Sequence, residues 1–288
     1  MQLKPLLAML AAGALGAANG IFAKTIGLPA TSTTFFRVAV PAVVLLAYFI
    51  FFRRAILFSK KHTALYFASI INAPRMFLFY VAYMYTSLAN GVIILYTWPI
   101  WGAVFGFFIL KERVTQRMLL LFGLSFVGIL VMYSAHALSL TNKDIIGMTA
   151  MLGSSMLGAL MIVIFKKKIN DHSTAELVFH QNFISSLIFI PVIAFTRPLP
   201  TVAQASMGSM YGFLVGIAAG FLMYYALRHL SIAEYGLFSY NEVIFAVAYG
   251  ILFFGEVLTM NLVLGGICII AAGYMLQKQK ALPIPVMD

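Results

Sequence analysis

The chain has 288 residues, 62% of them hydrophobic and 9% charged, with 19 Lys and Arg against 8 Asp and Glu. Water-soluble domains are about 45–50% apolar and about 25% charged, so this composition excludes a soluble globular protein and calls for a bilayer as solvent. A single cysteine, Cys268, excludes an intrachain disulfide and a thiolate metal cluster.

Apolar runs of about 20 residues predict membrane helices. In chain order they fall at about 5–24, 32–52, 63–87, 88–109, 116–134, 145–165, 174–196, 206–228, 231–254 and 259–276. With the N-terminus inside, the inner loops hold Lys4, Arg53, Arg54, Lys60, Lys61, Lys111, Arg113, Arg117, Lys166, Lys167, Lys168, Arg228, Lys278 and Lys280. The outer loops hold Lys24, Lys143 and Arg197, and only Arg37 and Arg75 fall inside spans. That bias is a positive-inside signature and predicts an inner-membrane protein with both termini cytoplasmic. The net charge of +11 is thereby assigned to topology and lipid phosphates, and no nucleic-acid partner is expected. The first run resembles a secretory signal, with Lys4 ahead of an apolar, Ala-rich stretch, but an internal repeat retains it.

At an offset of 144 residues the identities include Phe35/Phe179, Phe77/Phe221, Tyr80/Tyr224, Ser87/Ser231, Tyr96/Tyr240, Gly106/Gly250, Glu112/Glu256 and Thr115/Thr259. The first run matches the sixth at an offset of 142, through Ala8-Met9-Leu10 with Ala150-Met151-Leu152 and Leu15-Gly16-Ala17 with Leu157-Gly158-Ala159. Registered matches at Tyr, Ser, Gly, Glu and Thr point to duplication. The expected units are 1–138 and 139–288, five spans each. An odd span count inverts the second unit in the membrane, and inverted repeats hold substrate near the midplane where the units meet. The fold expected is thus all-α, with ten transmembrane helices in two inverted five-helix repeats. Residues at matching offsets should line one cavity.

Ionisable groups at membrane depth cost about 2.5–3.5 kcal/mol each on insertion scales, so each asks for a partner or a role. Glu242 is near the middle of its span, on a face with Tyr235, Phe238, Ser239, Phe245, Ala246 and Tyr249. It can bind a cation, take up a proton, pair with a base, or make a buried hydrogen bond between helices. Arg75 follows Pro74 at similar depth and must face an acid, carbonyls, water or an anionic substrate. Arg37 is close enough to a span end to snorkel, and its repeat mate Gln181 sits beside His180 and Asn182 in a candidate polar cluster. The mate of Glu242 is Trp98, with Trp101 three residues on and Tyr96 and Tyr240 paired nearby. A carboxylate opposite an aromatic wall can hold an ammonium or sulfonium. The expected substrate residues are therefore Glu242, Arg75, Trp98, Trp101, Tyr96, Tyr80, Tyr240 and Ser239, with Arg37, His180 and Gln181 as further candidates.

Ser173–Glu176 and Ser231–Glu234 fit capping boxes. Glu112 and Glu256 end paired spans, where turn contacts are expected, and Gly16/Gly20 and Gly216/Gly220 read as close helix packing. No catalytic triad spacing, nucleotide loop or zinc-binding His-Glu-x-x-His helix is present, so neither an enzyme nor a cofactor or metal is expected.

Phe107-Phe108-Ile109-Leu110-Lys111-Glu112 and Ile251-Leu252-Phe253-Phe254-Gly255-Glu256 close the two fourth spans alike. With Ser87-Leu88-Ala89 and Pro99, they resemble the EamA-type branch of the drug/metabolite transporter superfamily over about residues 5–276. Phe35-Phe36-Arg37 and Pro74-Arg75 resemble the sub-branch that includes bacterial S-adenosylmethionine transporters. Val243 stands where the first unit has Pro99, so a proline kink is expected only in the fourth span. The resemblance implies a secondary transporter working by alternating access. With Arg75 on a carboxylate and Glu242 on an ammonium or sulfonium, an amino acid or amino-acid derivative would fit. The alternative is a proton-coupled exporter of hydrophobic cations or a lipid-linked substrate. Partners beyond substrate and lipid, including the oligomeric state, are left open by the sequence.

Overall fold

The computed structural model describes residues 3–53, 60–134, 142–195 and 199–281. Helices run over α1 (Leu3–Thr25), α2 (Ala30–Tyr48), α3 (Thr63–Tyr85), α4 (Leu88–Leu95), α5 (Trp98–Phe105), α6 (Gln116–Tyr133), α7 (Asn142–Lys168), α8 (Thr174–Phe195), α9 (Val202–Tyr211), α10 (Ala219–His229), α11 (Ile232–Ser239), α12 (Asn241–Phe254) and α13 (Met260–Ala281). Wide π turns over Phe49–Arg53, Gly106–Leu110 and Gly212–Ala218 extend α2 and α5 and join α9 to α10. No strand occurs among the described residues. The expected unit boundary at 138/139, Arg54 and Arg197 lie outside the described residues.

Nine helical passes among the described residues are long and apolar enough to cross a membrane. The tenth pass, α3, has 23 residues, or about 34 Å at ~1.5 Å per residue, and its sequence is diluted by Asn72 and Arg75. The outward surface is hydrocarbon, with Leu120 73% and Phe195 85% exposed. In water such side chains would drive aggregation; in lipid they are solvated. The chain is an all-α membrane protein of two five-pass repeats.

Packing follows the duplication. In the first unit α1 packs on α10 and α12 of the second; in the second unit its counterpart α7 packs on α3 and α5 of the first. The pairs α2–α8 and α6–α13 each join an element to its own repeat counterpart, and α5 of the first fourth pass packs on α11 of the second, so these contacts surround the axis relating the units. Small residues set these distances. A Cβ on Gly236 would press on Pro99, and one on Gly128 would meet the carbonyl of Gly265.

The fourth pass of each unit is broken at the same place. In the first, the chain turns at Tyr96 and Thr97, and Pro99 starts the next segment. In the second, it turns at Tyr240 without any proline. The proline is therefore not the shared cause. Thr97 Oγ1 donates to the Ile94 carbonyl at 2.7 Å, and its repeat mate Asn241 donates through Nδ2 to the Phe238 carbonyl at 2.9 Å. Each side chain bonds back to the carbonyl three residues earlier, across the break. The two breaks are also tied together, since the Tyr240 hydroxyl donates to the Tyr96 carbonyl at 3.1 Å.

Candidate functional site

The breaks open onto a cavity of about 210 Å³ between the units. Its lining is written in repeat pairs. At the 144 offset Arg37/Gln181, Arg75/Ala219, Leu95/Ser239 and Trp98/Glu242 all line it; at the 142 offset so do Ala12/Ser154, Gly13/Ser155, Gly16/Gly158 and Asn19/Met161. Because the second member of most pairs has diverged, a symmetric scaffold holds an asymmetric set of polar groups.

Glu242 stands in the first turn of α12, the segment that starts at the break. The positive end of that helix favours a carboxylate there. Its room comes from α1: a Cβ on Gly16 would lie 2.9 Å from Glu242 Oε1, and one on Gly13 would touch the Glu242 backbone. The basic group acting on Glu242 is Arg37 of α2. Among the described residues neither side chain closes an ion pair within 4.0 Å. Beside them, the Tyr211 hydroxyl donates to Asn19 Oδ1 at 2.6 Å, and Asn19 Nδ2 donates to the Gly16 carbonyl at 2.6 Å.

Arg75 reaches the cavity from α3. Its Nε donates to Asn72 Oδ1 at 2.8 Å, and Asn72 Nδ2 donates to Ser185 Oγ at 2.6 Å, which fixes the guanidinium. Ser154 Oγ donates to the Arg75 carbonyl at 2.9 Å. Gln181 is oriented by the Tyr224 hydroxyl, which donates to its Oε1 at 3.0 Å. Trp98 and Tyr235 meet edge to face with centroids 5.9 Å apart, and the buried Tyr235 hydroxyl has no hydrogen-bond partner among the described residues.

Of the residues expected from sequence, Glu242, Arg75, Trp98, Tyr96, Ser239, Arg37 and Gln181 line the cavity. Tyr240 does not; it is fully buried and its hydroxyl is spent on the Tyr96 carbonyl. Trp101 is also outside the lining, with its indole N–H buried and unpartnered among the described residues. His180 sits in a separate imidazole cluster with His62 and His172. The side chain of Tyr80 is outside the described residues. Sequence reasoning missed Asn19, Ser154 and Ser155, placed Tyr235 on the face of Glu242 without counting it among the substrate residues, and took Gly16 for close packing. The 142 offset already paired Gly16 with Gly158; carried one turn further along α1 it would have paired Asn19 with Met161.

The sequence profile of the EamA-like transporter family matches residues 3–134 and again residues 145–277. The chain belongs to that family. Relatives are distant. The pseudopaline exporter CntI of Pseudomonas aeruginosa (strain UCBPP-PA14) is 23% identical over 96% of both chains. Human solute carrier family 35 member G1 is 23% identical over 70% of this chain, which spans 59% of that protein's length. An uncharacterized transporter of Archaeoglobus fulgidus is 24% identical over 65% of this chain and 66% of its own. A solved crystal structure with 14% identity superposes with a TM-score of 0.83, covering 98% of this chain and 100% of its own, and shares the fold. This EamA member thus has two family repeats meeting at one polar chamber.

Proposed function

We propose that this EamA protein is a secondary transporter that moves an amino acid or a small amino-acid derivative across the inner membrane by alternating access, with both termini in the cytoplasm. The observation that carries the reading is the cavity itself: one carboxylate, Glu242, and two guanidinium groups, Arg37 and Arg75, face one space beside Trp98 and Tyr235. A zwitterion would satisfy both signs at once. Its carboxylate would meet a guanidinium fork, and its ammonium would meet Glu242 and the aromatic faces.

Charge also narrows the class. Two positive groups against one negative disfavour a hydrophobic cation as cargo. The cytoplasmic orientation is supported by Lys166, Lys167 and Lys168 at the end of α7 and Arg228 at the end of α10, clustered at one end of the bundle.

Thermal shifts of purified protein against amino acids and related zwitterions identify the ligand, because a molecule that binds only the folded state stabilises it. Uptake or efflux in proteoliposomes then tests the roles. Glu242→Gln, Arg37→Gln and Arg75→Gln should each insert normally and lose transport; full activity in all three refutes the reading.

A further inference from the structure

At the end of the bundle that carries Lys166–Lys168, outside the cavity lining, three histidines and a glutamate converge from three chain segments. His62 closes the short 3-10 turn Lys60–His62 ahead of α3. His172 lies in the turn between α7 and α8. Glu176 and His180 are one helical turn apart on α8. His62 Nε2 is 3.2 Å from Glu176 Oε1, and ligand atoms of His62, His172 and Glu176 all lie within 4.8 Å of one another. The His62 ring is 5.0 Å from that of His172 and 4.9 Å from that of His180.

This arrangement is poorly explained as packing. His172 is 4% exposed and His180 1% exposed, yet both ring nitrogens of His172 and Nε2 of His180 have no hydrogen-bond partner among the described residues. Buried polar atoms are nearly always satisfied, so orphans ask for an unseen partner. The orphaned His172 ring is grouped with His62 and a Glu176 oxygen, and the His180 ring stands beside that of His62. We propose that His62, His172 and Glu176 bind a divalent transition-metal ion, with zinc the best fit.

The geometry suits zinc. Bonds of about 2.0–2.1 Å in a tetrahedron place ligand atoms about 3.3–3.4 Å apart, close to the separation of His62 Nε2 and Glu176 Oε1. Two imidazoles and one carboxylate, with a fourth position open, are a borderline donor set, which favours zinc, nickel or cobalt over magnesium or calcium. Supporting contacts aim the ligands. Glu176 Oε2 accepts from the Ser173 backbone N–H at 2.6 Å, leaving Oε1 for the ion. Arg228 donates to the carbonyls of Ile169 and His172 at 2.9 and 2.8 Å, which fixes the turn carrying His172. Lys61 and Lys168 line an open cleft with Asp171 next to the cluster, so the site must hold its ion by coordination and not by a negative field. The ion would tie the start of α3 in the first unit to α8 in the second. Sequence inspection found no metal motif because only His172 and Glu176 are close in sequence; His62 is more than a hundred positions away.

The test uses untagged full-length protein in detergent, with Zn²⁺ and Co²⁺ as probes. The expected results are one Zn²⁺ retained per chain after desalting, a saturable rise in Tm with Zn²⁺, and a tetrahedral Co²⁺ visible spectrum that Zn²⁺ abolishes. Loss of a ligand should weaken affinity by about 100-fold or more, since even supporting residues are worth 10–100-fold. His172→Ala is the sharpest variant; Glu176→Gln preserves shape and serves if it fails to fold. No retained Zn²⁺ and no Co²⁺ spectrum in the wild type overturns the proposal. Weak multi-site binding, or binding untouched by these variants, is surface adsorption and overturns it as well. The test does not depend on transport.

Discussion

The carboxylate of Glu112 accepts a hydrogen bond from the backbone N–H of Ile232 at 2.7 Å, crossing from the end of one unit's fourth pass to the start of the other's. Among the described residues its repeat mate Glu256 makes no such cross-unit cap. It meets Lys24 Nζ at 2.9 Å, with both side chains 52% exposed. The first four N–H groups of a helix lack intrahelical partners, so Glu112 supplies α11 with one that the sequence cannot provide locally. The two ends of the bundle are thereby fastened unequally. Lys166 adds to the Glu112 end by donating to the Leu227 and Leu230 carbonyls at 2.6 and 2.7 Å.

Truncating the two acids should expose this difference. Glu112→Ala removes a charge-assisted cap from a half-buried N–H and should cost about 1–2 kcal/mol. Glu256→Ala breaks an exposed ion pair and should cost about 0–1 kcal/mol. Denaturant or thermal unfolding in the same detergent measures both. Equal losses would mean that the contact with Ile232 contributes no more than the surface pair.

Glu112 also carries a pH signature. Burial raises its pKa above the ordinary carboxylate value of 4.5, and this outweighs the lowering by the Ile232 N–H and Lys166. The folded state therefore holds this proton more tightly than the unfolded chain does. Stability must then fall as pH rises from about 4.5 until the folded carboxyl has ionised. Glu112→Gln keeps an acceptor for Ile232 and removes the titration. The Tm of wild type minus that of Glu112→Gln should decline over this window and level off above it. A difference that grows with pH has the opposite sign and rules out burial as the dominant influence on this carboxyl.

How much of this was legible in the sequence varied with the physics. The helices were, because a bilayer demands long apolar runs, and the capping boxes at Ser173–Glu176 and Ser231–Glu234 form as their spacing implies. The duplication was legible too, and it led to Trp98 and Glu242 facing one cavity. The direction of a side chain within a helix was not. Tyr96 and Tyr240 are identical mates, yet one lines the cavity and the other spends its hydroxyl on its partner's carbonyl. The break at Tyr240 was hidden because a proline is the visible signal of a kink, whereas an Asn241 amide bonding back three residues is not. The His62 cluster was hidden because its members come from separate segments.

Gly16 separates packing from function. A Cβ there would lie 2.9 Å from Glu242 Oε1 and 3.0 Å from its Cδ. Those atoms are the tip of a flexible side chain, so the helix can accept alanine and gain up to about 1 kcal/mol of propensity, while the carboxylate must swing away. A Cβ on Gly20 would have nothing within 4 Å. Gly16→Ala should insert with unchanged or raised Tm and lose about tenfold in substrate affinity, the scale of one hydrogen bond to a charged group. Gly20→Ala should keep its affinity. Equal behaviour of the two variants would detach Glu242 from substrate binding.

The last contrast lies in the paired turns that follow the two fourth passes. Lys111 has φ 59° and its repeat mate Gly255 has φ 65°. Both occupy the left-handed position that ends a helix, where glycine is at ease and a side chain costs roughly 1–2 kcal/mol. The second unit uses the residue the backbone prefers; the first keeps a lysine. The ammonium is among the basic residues grouped at the end with Lys166–Lys168, so charge placement offers a reason for tolerating the backbone cost. Lys111→Gly should therefore raise stability by about 1 kcal/mol and leave substrate binding alone, since Lys111 is not among the cavity-lining residues. The reciprocal Gly255→Lys should destabilise by a similar amount. Unfolding midpoints of the two variants check both signs. If Lys111→Gly lowers stability, the lysine makes a contact at that turn worth more than the backbone strain it carries.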